Sequence, residues 1–234
     1  MLKALKKRWR TRVSARSAPT LHREAIKADW SAHGYYANAE DSGWLAPFWA
    51  DGSPFRHLFE QLDLKCALEI GCGQGRHAAQ FADRAGKLYL LDINQSNVDA
   101  CKQRFAGRDN VVCLRTNGGD LPGVADGVVT SAYSYDAMVH FEAADVVNYL
   151  SELHRVLQPG GRALLHYSNY DENPCGFYRD NPGHRNFFSE RMMRHFADRA
   201  GFAIDHHSIF AWPLGSAGPP TDGLVLLQSV KGGP

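Results

Sequence analysis

The sequence predicts an α/β protein: a doubly wound, seven-stranded, mostly parallel sheet with helices on both faces and an N-terminal helical cap. Three observations predict it. From residue 66 onward, short apolar runs alternate with amphipathic stretches, the pattern of strand–helix–strand units. The last two apolar runs are separated only by a loop, so they pair antiparallel. A glycine-rich turn, Gly71-Cys72-Gly73-Gln74-Gly75, joins the first strand to an amphipathic stretch.

Each element has its own signal. Residues 66–70 are continuously apolar apart from Glu69 and read as a buried strand; residues 88–91, 111–114, 128–133 and 163–167 read likewise. Helices are predicted over 76–84, ended near Gly86, and over 96–105, where Val98, Cys101 and Phe105 share a face. A third runs over 143–157, with Val146, Val147, Leu150, Leu153 and Leu157 at helical spacing, and Pro159-Gly160-Gly161 stops it. Ser189 caps a helix through about Ala200, closed by Gly201. Two strands, 202–210 and 224–230, complete the sheet.

Three parts are predicted along the chain: a basic tail (1–27), an aromatic-rich cap (28–62) and the α/β domain (63–234). Nine of the 26 Lys and Arg residues fall within 1–27 beside a single acid, Glu24, which leaves 17 bases and 24 acids in the rest. That acidic body argues against a nucleic-acid partner. In the tail, Leu2, Leu5, Trp9 and Val13 would form one apolar stripe on a helix. Residues 1–20 are therefore either a surface helix making peripheral contact with an anionic membrane or a frayed terminus. In the cap, Trp30, Tyr35, Tyr36, Trp44, Phe48, Trp49, Phe55 and Phe59 are interrupted by Gly34, Gly43 and Gly52, which suits short helices over a pocket; the aromatics either line it or pack the cap down. Ser53-Pro54 reads as an N-cap and first-turn proline, with a helix to about Leu62.

Hydrophobic residues make up 44% of the chain and charged residues 22%, ordinary for a globular domain. No run is long enough to span a bilayer, and the N-terminus lacks the apolar core of a secretory signal. The five cysteines have no CxxC spacing and sit mostly in apolar runs. Reduced thiols and a cytoplasmic location are expected. No metal site is expected: His206 and His207 are adjacent in a strand and point to opposite faces.

The chemistry concentrates at the predicted C-terminal ends of the strands, where open α/β sheets bind ligands. Glycines at 71, 73 and 75 allow positive φ and close approach of a ligand. A dinucleotide motif would place its third glycine one residue later, and here an acid, Glu69, precedes the first. Asp92 ends the second strand, seventeen residues after Gly75, where a carboxylate can accept both hydroxyls of a ribose. Asn117-Gly118 follows the third strand; its amide could meet an adenine edge, or the pair is a plain turn. Asp136 follows the fourth.

ALEIGCGQGRHAAQFA, LLDIN, the 117–122 loop and ELHRVLQPGGRALL resemble, in order and spacing across residues 66–168, the motifs of class I S-adenosylmethionine-dependent methyltransferases. The resemblance implies the Rossmann-like methyltransferase fold with strand order 3-2-1-4-5-7-6, and S-adenosyl-L-methionine as cofactor. It implies that Glu69, Gly71, Cys72, Gly73 and Gly75 form the cofactor loop, that Asp92 binds the ribose, and that Ile93 flanks the adenine. Asn117, with Gly118, stands where the family more often has an aspartate beside the adenine amino group, and Asp136 lies near the aminoacyl tail.

For the methyl acceptor, His140 is the candidate base: it follows the fourth strand and titrates near working pH. The alternative is a histidine capping the next helix. The non-periodic stretch 168–188 is longer than a connector needs. With the fifth strand it offers His166, Asn169, Tyr170, Tyr178, Arg179, His184, Arg185 and Asn186 as acceptor-binding groups, with Arg179 and Arg185 suited to a phosphate or carboxylate. Alternatively Arg185-Asn186 pins the loop itself. SYDAMVHF, LLHYSNY and NPGHRNFFS resemble small bacterial methyltransferases acting on sugars, glycans or other small metabolites. O-methylation of a small molecule or saccharide is therefore expected, with N-methylation of an amine, or cofactor binding without catalysis, as alternatives.

Overall fold

The computed structural model describes residues 19–32 and 34–231. Most of the proposed membrane-contacting segment, residues 1–18, lies outside the described residues. Among the described residues no helix is long and apolar enough to cross a membrane, and no cluster of His, Cys, Asp and Glu is arranged to hold a metal ion.

Among the described residues, four α-helices precede the sheet: α1 (Pro19–Ala32), α2 (Tyr35–Asn38), α3 (Ser42–Trp49) and α4 (Pro54–Phe59). Ser53 caps α4 by accepting from the Phe55 amide, with Pro54 in the first turn, as expected. The strands are β1 (Ala67–Ile70), β2 (Leu88–Asp92), β3 (Val111–Arg115), β4 (Val129–Ser134), β5 (Leu157–Ser168), β6 (Phe202–Phe210) and β7 (Asp222–Ser229); α5 (Gln95–Arg104), α6 (Ala143–Val156) and α7 (Glu190–Arg199) connect them. They form one sheet in the order β3-β2-β1-β4-β5-β7-β6. The first five strands in sequence run parallel, and β7 is antiparallel to both β5 and β6. This is the predicted class and order.

Both faces of the sheet are covered, which is why the central strands read as unbroken apolar runs. Leu68, Ile70, Tyr89 and Leu91 face a core completed by Val146, Leu150 and Leu153 of α6 and Met193 and Ala197 of α7. Ala67, Leu88 and Leu90 face a second core with Phe55, Phe59, Phe81 and Phe105. Ser189 caps α7 by accepting from the Met192 amide.

Two local expectations fail. Residues 76–84 do not form a regular helix. Their apolar spacing survives, with Ala78, Phe81 and Ala82 buried. However, Arg76 and His77 are drawn inward, and the amides mix three- and four-residue bonds around a single 3₁₀ turn, Ala78–Gln80. Also, β5 begins at Leu157, directly out of α6, because Leu157 pairs with Val129 before the Pro159-Gly160-Gly161 irregularity.

The N-terminal aromatics divide. Phe48, Phe55 and Phe59 enter the second core, whereas Trp30, Tyr35 and Tyr36 line a cavity at the strand ends. Helix α1 runs through the expected tail–cap boundary at 27/28 without a break.

Candidate cofactor and acceptor site

Because β1 lies between β2 and β4, the loops at the C-terminal ends of these three strands emerge side by side. They enclose a cavity of about 930 Å³, counting the space open to solvent. Gly71, Cys72, Gly73, Asp92, Ile93, Gly118, Asp136 and His140 line it, all of them predicted site residues. Gly71, Gly73 and Gly75 have φ of 70°, 51° and 79°. A Cβ on Gly71 would lie 2.5 Å from that of Ala137, so the β1 and β4 loops can touch only without one.

Asp92 is buried at the tip of β2. Its Oδ1 accepts from the Asn94 amide at 2.8 Å and the Asn97 side-chain amide at 3.1 Å; its Oδ2 accepts from the Gly73 amide at 2.9 Å. These bonds orient the carboxylate and leave Oδ2 further acceptor capacity toward the cavity. Burial raises its acid dissociation point, and the donors oppose that rise.

Asp136 has φ 54°, a left-handed conformation. Its Oδ2 accepts from the Tyr35 hydroxyl at 2.7 Å and from Arg76 Nη2 at 2.8 Å. Arg76 also donates to the Ala39 carbonyl at 2.9 Å. Sequence reasoning misses Arg76 as a site residue and leaves Tyr35 open between lining the pocket and packing the cap. Arg76 directly follows the glycine turn, a positional signal that the helix assignment obscures.

His140 is buried. Its Nδ1 donates to the His184 carbonyl at 2.7 Å, which leaves Nε2 as the ring's acceptor. The Trp30 ring packs against it, centroids 4.5 Å apart. Burial first, then the positive charge of Arg185, lowers its dissociation point to about 4. The ring is therefore neutral at neutral pH.

Helix α1 supplies Arg23, Ile26, Lys27 and Trp30 to the wall. Arg23 forms an ion pair with Asp145 of α6 and donates to the Asn117 carbonyl at 3.2 Å. In sequence these residues belong to the tail and cap. Ile26 and Trp30, four apart on one helical face, are the available signal.

Several predicted groups lie elsewhere. Glu69 is fully buried beneath the loop, and neither carboxylate oxygen has a hydrogen-bond partner among the described residues. Gly75 packs toward Phe105 and Cys101. The Asn117 side chain closes its own turn, bonding to Asp120 and the Gly119 amide, so the turn reading holds and an adenine contact is not prepared.

None of the acceptor-binding candidates from 166–186 lines the cavity. His166 is fully buried. Asn169 accepts from the Glu190 amide at the start of α7 and donates to the Pro220 carbonyl. Tyr170 pairs with Phe187 and Phe188 through isolated bridges. Tyr178 and Arg179 both bond Asp29 of α1. His184 contributes its carbonyl to His140. Arg185 is paired with Asp222, and Asn186 bonds Glu142 and the His140 carbonyl. The loop pins itself and α1 in place through the side chains of Asn169, Tyr178, Arg179, Arg185 and Asn186.

The residues present fit S-adenosyl-L-methionine: a glycine cradle with positive φ, a buried ribose-height carboxylate with acceptor capacity, and an aromatic-walled cavity with cationic groups.

Comparison with known proteins agrees. A family model described as a methyltransferase domain matches residues 68–165. The chain is 33% identical over 109 residues to the biotin biosynthesis bifunctional protein BioHC of Cellvibrio japonicus, covering 47% of this chain and 21% of that one. It is 28% identical over 155 residues to a protein of Mycolicibacterium smegmatis named as a probable S-adenosylmethionine-dependent methyltransferase, covering 63% and 57%. The chain thus spans less than two thirds of these curated relatives' length. Among solved structures, an S-adenosylmethionine-dependent methyltransferase from Mesorhizobium loti superposes with a TM-score of 0.61 at 20% identity, covering 76% of this chain and 99% of that one, a likeness of fold. The motif order, the sheet order and these relatives all indicate a class I S-adenosylmethionine-dependent methyltransferase.

Proposed function

We propose that this protein methylates a hydroxyl oxygen of a small molecule or saccharide, with His140 taking the hydroxyl proton. One observation carries the reading. His140 lines the cavity with Nδ1 committed to the His184 carbonyl, so its Nε2 lone pair is the ring's acceptor.

Bound S-adenosyl-L-methionine supplies a methyl group on a positively charged sulfur, open to in-line displacement by an oxygen lone pair. Asp92 and the Gly71–Gly75 turn hold the nucleoside end in this reading. Asp136, fixed by Arg76 and Tyr35, lines the same cavity as His140 and meets the aminoacyl end of the donor in this reading. His140 Nε2 accepts the hydroxyl proton as the new C–O bond forms. The resulting imidazolium is stabilised by the His184 carbonyl and by the negative charge of Asp136. Trp30 packs on the ring and excludes water from it. Cys66, Cys72, Cys101 and Cys113 are free thiols, which suits action in the cytoplasm.

The test is release of S-adenosylhomocysteine over pools of sugars, phosphosugars, hydroxylated small molecules and amines. His140→Ala should lower turnover by about 10²–10⁴-fold, with affinity for S-adenosylhomocysteine unchanged by calorimetry. Turnover only on amines, insensitive to His140→Ala, would favour N-methylation and end the present reading.

A further inference from the structure

Asp136 is an unusual residue at the centre of the site. It is not glycine, yet it is held at φ 54°, a conformation that is strained for a non-glycine residue and persists where its surroundings determine it. Its backbone amide donates to His166 Nδ1 at 3.2 Å. Because Nδ1 accepts, the ring proton is on Nε2, which donates to Asp222 Oδ1 at 2.7 Å. Asp222 accepts in turn from Arg185 Nε at 3.0 Å and from the Thr221 hydroxyl at 2.8 Å. Burial pushes the Asp222 carboxyl up, but His166 and Arg185 outweigh it and hold the group below the usual carboxylate range.

His166 and Asp222 are completely buried, and Arg185 is nearly so. His166 sits between the rings of Phe55, Phe210 and Trp212. Its neighbours across the strand are set by register: His166 of β5 lies opposite Leu224 of β7, two residues from Asp222. An ion pair this deep is a poor source of stability, because desolvating both charges offsets their attraction. The three groups have no contact with the cavity, and they converge on one amide.

We infer that the buried chain Arg185–Asp222–His166 is a positioning device that holds the Asp136 backbone amide, and so aims the Asp136 carboxylate at the ligand. This rests on the reading of the cavity as the cofactor and acceptor site. Arg185 matches the charge of Asp222, Asp222 fixes the His166 tautomer, and His166 presents a lone pair to Asp136. Orienting groups of this kind contribute on the order of tenfold in ligand affinity or activity. His166 and Arg185, read from the sequence as acceptor-binding groups, act instead through Asp136.

The test is calorimetric titration of S-adenosylhomocysteine into the full chain and its Asp136→Ala, His166→Asn, His166→Leu and Asp136→Ala/His166→Leu variants, with Met193→Ala as a core control. Asparagine can keep an acceptor for the Asp136 amide; leucine cannot. His166→Leu should weaken binding about tenfold, His166→Asn should restore most of it, and His166→Leu should add little once Asp136 is alanine. Should His166→Leu not fold, Asp222→Asn keeps a polar core while disturbing the chain of bonds, and carries the same expectation of weakened binding. A nitrogen–nitrogen coupling across the Asp136 amide to His166 Nδ1 bond, observed by NMR in the wild type and lost in every His166 variant, is the direct signature. If Asp136→Ala binds as the wild type does, the reading of the site fails. If Asp136→Ala weakens binding but His166→Leu does not, or if the two effects add, the positioning role fails alone.

Discussion

His140 and Glu69 show how burial assigns roles that residue type alone leaves open. An exposed imidazole titrates near 6.5; burial lowers His140 to about 4. The neutral form is the one that can accept a proton, so activity should persist as pH falls through 6.5. The acid limb of kcat/KM should then fall near pH 4. A limb near 6.5, measured by S-adenosylhomocysteine release, would show a different or solvent-exposed base. Glu69 moves the other way. Burial raises its carboxyl to about 8, so between roughly pH 4.5 and 8 the folded state holds a proton that the unfolded state has released. Its contribution to stability is therefore present below the unfolded value and lost as pH rises through the folded one. Glu69→Gln should flatten that loss: relative to wild type, its denaturant midpoint should gain more at pH 8 than at pH 5. Equal gains at both would mean the wild-type carboxylate is already ionised when folded.

At the scale of elements, α1 is the least expected. Its sequence places basic residues among apolar ones, which fits a surface tail as well as a docked helix. What docks it is a set of distant partners: Arg23 with Asp145, His22 with Glu142, and Asp29 with Tyr178 and Arg179. α1 covers Ile93 and Gly118, so closely that a Cβ on Gly118 would strike Arg23. Arg23→Ala should raise hydrogen exchange across residues 19–32 while leaving the sheet strands unchanged, measured by mass spectrometry. Unaltered exchange would mean that the 168–188 loop contacts hold the helix alone. That segment teaches the same lesson in reverse. Its length and polarity suggest an acceptor-binding loop, but its donors close on Asp29, Asp222, Glu142 and backbone carbonyls.

For the molecule as a whole, the cavity at the strand ends has walls that join both cores through β1, β2 and β4. A ligand that binds only the folded state should then stabilise the whole domain. At a hundredfold excess over its dissociation constant, S-adenosylhomocysteine should add about 2.7 kcal/mol. That corresponds to a rise in Tm of about 5–10 °C for a domain of this size. NAD at the same concentration should leave the melting curve unmoved; a shift with NAD and none with S-adenosylhomocysteine would reverse the assignment of the cavity.

The sequence by itself determined the sheet, its closing antiparallel pair, and the placement of Gly71, Gly73, Asp92 and Asp136 at the strand ends. These arise from local pattern: apolar runs of strand length, turns that need glycine, and the tendency of open sheets to bind ligands at one edge. Only the tertiary structure decided which polar side chains meet the cavity. Arg23 finds Asp145 across 122 positions and His166 finds Asp222 across 56. A buried donor or acceptor must be satisfied by whatever partner the fold brings within about 3 Å, and no local periodicity records that partner. That is why Arg76 and Arg23 reach the cavity wall unannounced, while the side chains of Asn117, Arg179 and Arg185 close on Asp120, Asp29 and Asp222.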